Sequence, residues 1–170
     1  MKIAVIGYSG AGKSTLARAL GERYHADVLH LDSVHFLPGW EERKREDEQR
    51  IVSDFLDTHD AWVIDGNYTK LSYERRLEEA DRIIMMLFNR FDCLLRVAKR
   101  YRKYRNKTRP DMGKGCNEKL DGDFVTWILW RSRRKATRDR YKRWQKQYAD
   151  KVIVLKNQKQ LDAFMKQEGL

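Results

Sequence analysis

Five short apolar runs punctuate the chain: KIAVI (2–6), DVLHL (27–31), AWVI (61–64), RIIMML (82–87) and KVIVL (151–155). They are close to continuously apolar instead of alternating, as strands buried on both faces of a parallel sheet are. Between them the apolar positions change to helical spacing, with Leu16, Ala19, Leu20 and Tyr24 after the first run and Ile51, Phe55 and Leu56 after the second. This alternation predicts an α/β fold in three layers, a five-stranded, mainly parallel sheet with helices on both faces. No repeat or low-complexity linker divides the 170 residues, so a single domain with a substantial core is expected.

The interval between the fourth and fifth runs is long. It reads as a basic helix (roughly 90–106), the turn-rich stretch NKTRPDMGKGCNEKLDGD (106–123) and a second long basic helix (roughly 124–147). The expected division is a core of residues 1–89 and 148–170 with a basic helical lid over 90–147, the alternative being a solvated hairpin. Charge sharpens that division. Residues 1–89 hold 12 Lys/Arg against 16 Asp/Glu, whereas residues 90–146 hold 20 against 6. Basic charge so concentrated points to an anionic partner or a solvated helical face. No run approaches the roughly 18–20 apolar residues of a membrane helix. Cys93 and Cys116 form no C-x-x-C pair and suggest no disulfide framework, so a reducing cytoplasm is the expected setting.

Directly behind the first run stands GYSGAGKST (7–15), which satisfies G-x-x-x-x-G-K-[ST] in the strand-then-helix context that motif requires. Gly7, Ser9, Gly10, Ala11, Gly12, Lys13, Ser14 and Thr15 are therefore expected to cradle the phosphates of ATP. The glycines let consecutive N–H groups turn inward, and the helix starting near Ser14 adds its positive end. Lys13 should reach the β- and γ-phosphates, and the Ser14 hydroxyl should ligate Mg²⁺. A GTPase is set aside: NRFD (89–92) carries Arg90 where a guanine-reading motif has lysine, and the chain has no D-x-x-G.

Two carboxylates close apolar runs beside this loop. Asp65, at the end of WVIDGNY's apolar part, is placed to hold Mg²⁺ directly or through water, or else to cap the turn before Gly66. Asp32, after DVLHL, falls where ligands of open α/β sheets sit, and can orient or deprotonate an attacking hydroxyl or cap a following short helix. His35 is a substrate contact or a structural histidine. A zinc site of His30, Asp32 and His35 is not expected without cysteine support. Trp40 and Phe36 either wall an aromatic acceptor pocket or pack the core, with packing favoured for Phe36. On the basic arm Arg96, Arg100 and Lys103 share one helical face and Arg109 follows in the loop, so Arg96, Arg100 and Arg109 are candidates to clamp a transferring phosphoryl group. Arg131, Arg134 and Arg138 are expected to share a face of the second helix, while Arg133, Arg134, Lys135 and Arg140 are expected to be dispensable for transfer.

The stretches GYSGAGKSTLARAL, LHLDSVHFLPGW, WVIDGNY and TRPDMGKGCNEKLDGDFVTWI are similar to the bacterial topology modulation proteins, a group within the adenylate-kinase-like P-loop kinases. The resemblance covers nearly the whole chain and departs from the family at FNRF (88–91), where a leucine-proline-arginine stretch is usual. It implies an ATP-binding core with nucleoside-monophosphate-kinase topology. It also implies that the turn after the last strand, with Asn157 between Lys156 and Gln158, lies against the adenine. The expected activity is transfer of the ATP γ-phosphoryl group to a nucleoside, nucleotide or similar small hydroxyl compound. The competing expectation is a nucleic-acid-binding ATPase that affects DNA topology. As partners, weak, non-specific nucleic-acid binding through the basic arm and no membrane are expected.

Overall fold

The computed structural model describes residues 1–113 and 115–170. Its sheet has five parallel strands, β1 (Lys2–Gly7), β2 (Asp27–His30), β5 (Trp62–Asp65), β6 (Arg82–Met86) and β7 (Val152–Leu155), in the order β2-β5-β1-β6-β7. Ile3, Ala4, Val5 and Ile6 in succession have no exposed surface, which requires cover on both faces of the central strand and explains its unbroken apolar run. The helices of both layers supply that cover: α1 (Lys13–Tyr24), α2 (Leu31–His35), α3 (Arg45–Thr58), α4 (Tyr73–Glu79), α5 (Arg90–Tyr104), α6 (Gly122–Leu129), α7 (Lys135–Gln147) and α8 (Gln158–Glu168). A two-stranded hairpin, β3 (Phe36–Leu37) with β4 (Glu41–Glu42), stands apart from the main sheet. Alternation of strands with helices, and the sheet they form, agree with the expected P-loop fold.

Three local expectations are corrected. β2 ends at His30, so Asp32 sits in the first turn of α2 and not on the strand. The second basic helix is broken into α6, a 3₁₀ turn at Arg131–Arg133, and α7. Trp130, with φ −133° and ψ −55°, leaves helical geometry and bends the chain there. Arg131, Arg134 and Arg138 consequently do not share one continuous helical face. The bend lets Ile128 on one side and Tyr141 and Trp144 on the other join the buried core, which Val97 of α5 also enters. Helices α5, α6 and α7 are thus anchored to the core, and between α5 and α6 lie the described residues 105–113 and 115–121.

That segment is folded back on itself by bridges between Arg105 and Glu118 and between Thr108 and Asn117. Met112 and Cys116 are buried in it. It docks on the β3–β4 hairpin: the Gly39 N–H donates to the Gly115 carbonyl (3.3 Å) and the Cys116 thiol to the Leu37 carbonyl (3.1 Å). A side chain at Gly113 would begin 2.9 Å from the Phe36 carbonyl, so the approach is backbone to backbone.

Candidate active site

Because β1, β2 and β5 run parallel, their carboxyl ends open on one edge of the sheet. Val5 and His30 both pair with Asp65 across the ladder, which brings the phosphate loop, Asp65 and the start of α2 side by side. Gly7 leaves β1 with φ +136°, and a Cβ there would lie 2.2 Å from the Met86 carbonyl oxygen, so only glycine fits. The Asn67 side chain grips the same residue twice, accepting from its N–H (2.9 Å) and donating to its carbonyl. Gly12 (φ +100°) precedes α1 and offers no side-chain cap, so the first-turn N–H groups remain for an anion. Gly12, Lys13, Ser14 and Thr15 line the cleft that opens here, as do Ser9 and Gly10; Ala11 is buried behind them. Lys13 Nζ donates to the Tyr8 carbonyl at 3.2 Å. Burial lowers its pKa, against the opposing charges of Asp65 and Asp32.

Asp65 Oδ1 is 2.8 Å from His30 Nδ1. Burial alone would lower the His30 pKa, but the hydrogen bond and charge of Asp65 prevail and raise it. Ser14 and Asp65 both line the cleft, and a hydroxyl with a carboxylate is the hard-oxygen donor set that Mg²⁺ takes, so the residues present fit that ion. The half-buried Asp32 accepts a hydrogen bond from the Tyr68 hydroxyl at 2.8 Å. Burial, with the Asp32 carboxylate next in weight, holds the Tyr68 proton on well beyond the ordinary phenol range. His35 is bonded through Nδ1 to the buried Glu48 and packs against Tyr68 and Phe36.

The three arginines reach the cleft in different company. Arg96 spans from the phosphate loop to the β7–α8 turn, donating to the Ala11 carbonyl (3.0 Å) and to Gln158, with its guanidinium over the Phe88 ring. Arg100 donates to Glu118 Oε1 at 2.7 Å, and Arg109 Nε lies 2.6 Å from Glu118 Oε2. Arg109 also donates to Asp111 at 2.8 Å. Burial is the largest influence lowering the Arg100 pKa, followed by Arg109 and opposed by Glu118. Lys103 and Arg131 line the cleft as well. Asn157 stands apart: it is exposed and accepts from the Gln160 N–H at 3.0 Å as the cap of α8. Arg133, expected to be dispensable for transfer, lies 3.8 Å over the Tyr8 ring and donates to the carbonyls of Phe88 (2.9 Å) and Ile128 (3.1 Å). It pins the bend of the arm to the phosphate loop.

Sequence reasoning missed Asn67, Tyr68, Asp111 and Glu118. The first two carried a usable signal, since they directly follow the strand-ending Asp65-Gly66. Nothing in the loop sequence distinguished Glu118 from its solvated neighbours. Asn67, Tyr68, Asp111 and Glu118 all line the same cleft of about 1310 Å³, with room for a nucleotide and a small second molecule.

A family model described as AAA domain matches residues 3–125. The chain belongs to that family. Among solved structures it is similar to shikimate kinase from Acinetobacter baumannii in complex with shikimate (TM-score 0.58, 19% identity, 97% of this chain and 89% of that one). It is also similar to deoxyadenosine kinase from M. mycoides with bound dATP (TM-score 0.53, 16% identity, 100% of both chains). Shikimate kinase from Bacteroides thetaiotaomicron gives a TM-score of 0.52 at 14% identity over 100% of this chain and 99% of that one. No curated protein matches. At these identities the likeness is one of fold, and the AAA domain family member has the fold of small-molecule kinases. Among the described residues no helix is long and apolar enough to cross a membrane.

Proposed function

We propose that this protein is an ATP- and Mg²⁺-dependent kinase that transfers the γ-phosphoryl group to a hydroxyl of a small molecule, a nucleoside, nucleotide or similar compound. The observation that carries this reading is the lining of one cleft by Lys13, by Asp32 with its Tyr68 partner, and by Arg96, Arg100 and Arg109. A plain nucleotide switch has no use for a held carboxylate opposite the phosphate loop, whereas an alcohol acceptor does. The acceptor oxygen attacks the γ-phosphorus, its proton passes to Asp32, and the bond to the β-phosphate oxygen breaks to release ADP. Lys13 and the loop N–H groups meet the charge that grows on the phosphate oxygens. Mg²⁺ held by Ser14 and Asp65 would supply further neutralisation there. The reading keeps the finer resemblance to the topology modulation proteins. Cys93 and Cys116, both buried with free thiols, suit the reducing cytoplasm it assumes. The test is a screen of candidate acceptors with γ-labelled ATP, scoring transfer against hydrolysis. Transfer that exceeds hydrolysis and disappears in Asp32→Asn is expected; hydrolysis alone, indifferent to Asp32, refutes it.

One observation favours a second property. On α7 Lys135, Arg138, Lys142 and Lys146 are all exposed at helical spacing and form an outer cationic stripe. A stripe of this kind supports weak, non-specific adhesion to nucleic acid, the nucleic-acid-binding ATPase being the form in which adhesion and turnover are coupled. Duplex DNA binding is expected at low salt, fading at physiological salt, with each neutralised stripe residue flattening the salt slope by about one. Tight binding at physiological salt that stimulates ATP turnover would replace the kinase reading.

A further inference from the structure

Trp40 holds φ +68°, a left-handed conformation that a bulky side chain adopts only when its surroundings impose it. The imposition is visible on two sides. Its indole N–H donates to the Asn117 carbonyl at 3.0 Å, and the Lys119 ammonium lies 5.3 Å from its ring centre, both from the segment between α5 and α6. Its ring meets Phe36 edge-on at 5.1 Å between centroids. Phe36 meets His35 at 4.5 Å, and His35 meets Tyr68 at 4.9 Å. Four rings therefore run in an unbroken row, from Tyr68, whose hydroxyl holds Asp32, to Trp40, which is bonded to Asn117. Every one is only half-buried and lines the cleft. Phe36 and Trp40 stand outside the buried core, which Tyr68 meets from its edge.

We infer that this row is the acceptor's binding surface, and that the acceptor is of the nucleoside class: a flat, aromatic ring joined to an arm that carries the phosphorylated hydroxyl. The inference rests on the kinase reading for the direction of the hydroxyl, toward Asp32. The ring class follows from the row itself. Flat π faces stack on Phe36 and Trp40, whereas a polyol laid there would leave its hydroxyls without partners against apolar carbon. Three ring-to-ring steps give room for two linked rings, with the sugar hydroxyl at the Asp32 end and the base toward Trp40.

Calorimetric titration in the presence of a non-hydrolysable ATP analogue tests this with adenosine, guanosine, cytidine and uridine, and with free ribose and glycerol as ringless controls. At least one nucleoside is expected to bind more than about tenfold more tightly than ribose, the equivalent of one stacked base. Trp40→Ala should weaken that nucleoside about tenfold and Trp40→Phe much less. Phe36→Leu, which keeps apolar volume at a neighbouring position, should weaken it too and guards against a misfolded Trp40 variant. Ribose bound as tightly as the nucleosides, no nucleoside bound, or nucleoside binding untouched by both Trp40→Ala and Phe36→Leu overturns the proposal. Labelled transfer separates the two readings. Nucleosides bound through the row but never phosphorylated leave the row standing and remove the kinase. Transfer to ribose, unchanged in both variants, leaves the kinase and removes the row.

Discussion

Arg76 is wholly buried on α4, and its fork binds the loop that follows β5. Nε donates to the Leu71 carbonyl and Nη2 to the Tyr68 carbonyl, both at 2.9 Å, while Nη1 reaches the Gly66 carbonyl at a long 3.4 Å. Among the described residues no carboxylate forms an ion pair with it. Burial brings its pKa from 12.5 down to about 10, helped back only partly by Tyr73 and Asp65. At about 1.4 kcal/mol per decade this amounts to about 3 kcal/mol against the charged form. Arg76→Met relieves that cost but strands two well-bonded carbonyls at about 1–3 kcal/mol each, for a net effect between a gain of about 1 and a loss of about 3 kcal/mol. Arg76→Lys keeps a buried cation that cannot bridge the carbonyls, so it should be less stable than the methionine variant. Both should lower transfer by more than their stability explains, because the loop carries Asn67, which grips Gly7, and Tyr68, which holds Asp32. Urea unfolding with constant slope gives the stability order, and acceptor KM and kcat measured where each variant is folded give the rest. A lysine variant more stable than the methionine one, or a methionine variant with unaltered KM and kcat, would refute this account of the loop.

Lys13→Ala should abolish turnover with a smaller loss of nucleotide affinity, because the ammonium meets charge that grows during transfer; nucleotide titration alongside activity checks this. Asp32→Asn should cut transfer by roughly 10²-fold or more with ATP affinity nearly intact, while Asp65→Asn should raise the Mg²⁺ requirement; metal titrations of both variants would expose reversed roles. Gly12→Ala, whose new methyl carbon would start 2.9 Å from Arg96 Nη1 in a left-handed backbone, should lose nucleotide affinity while keeping the fold by circular dichroism. Arg133→Met should lower stability by about 1–3 kcal/mol for each of the abandoned Phe88 and Ile128 carbonyls, read as a lower urea midpoint.

The sheet was legible because its strands are buried on both faces and so are written as uninterrupted apolar runs, and the phosphate loop because its glycines answer to steric demands that no other residue meets. The break at Trp130 was not legible. Leu129 on one side and the Arg and Lys residues of 131–135 on the other suit a helix, and the bend is decided by distant partners, the Phe88 carbonyl and the Tyr8 ring that draw Arg133 inward. Asp32 lines the cleft, but β2 ends two residues before it, at His30, and Leu31 already opens α2. Phe36 was expected to pack the core; it is half-buried in the cleft, since a two-residue hairpin leaves no apolar periodicity to read. The pairing of Arg100 and Arg109 on Glu118 lay beyond the sequence for another reason: ion pairs across eighteen and nine residues of loop depend on how that loop folds back.

That shared carboxylate has a consequence for which anions the protein notices. Both guanidinium groups are ion-paired with Glu118, and Arg109 with Asp111 as well, so a passing phosphate finds neither arginine free of a carboxylate. To gain an arginine, an anion must displace a carboxylate, and the exchange is nearly neutral for a small ion that brings nothing else. Free inorganic phosphate, abundant wherever nucleotides are, therefore gains little from Arg100 and Arg109. A larger ligand, anchored elsewhere in the cleft, supplies from those contacts the free energy that drives the swap. Selectivity against the commonest competitor thus resides in a residue that has no need to touch the substrate.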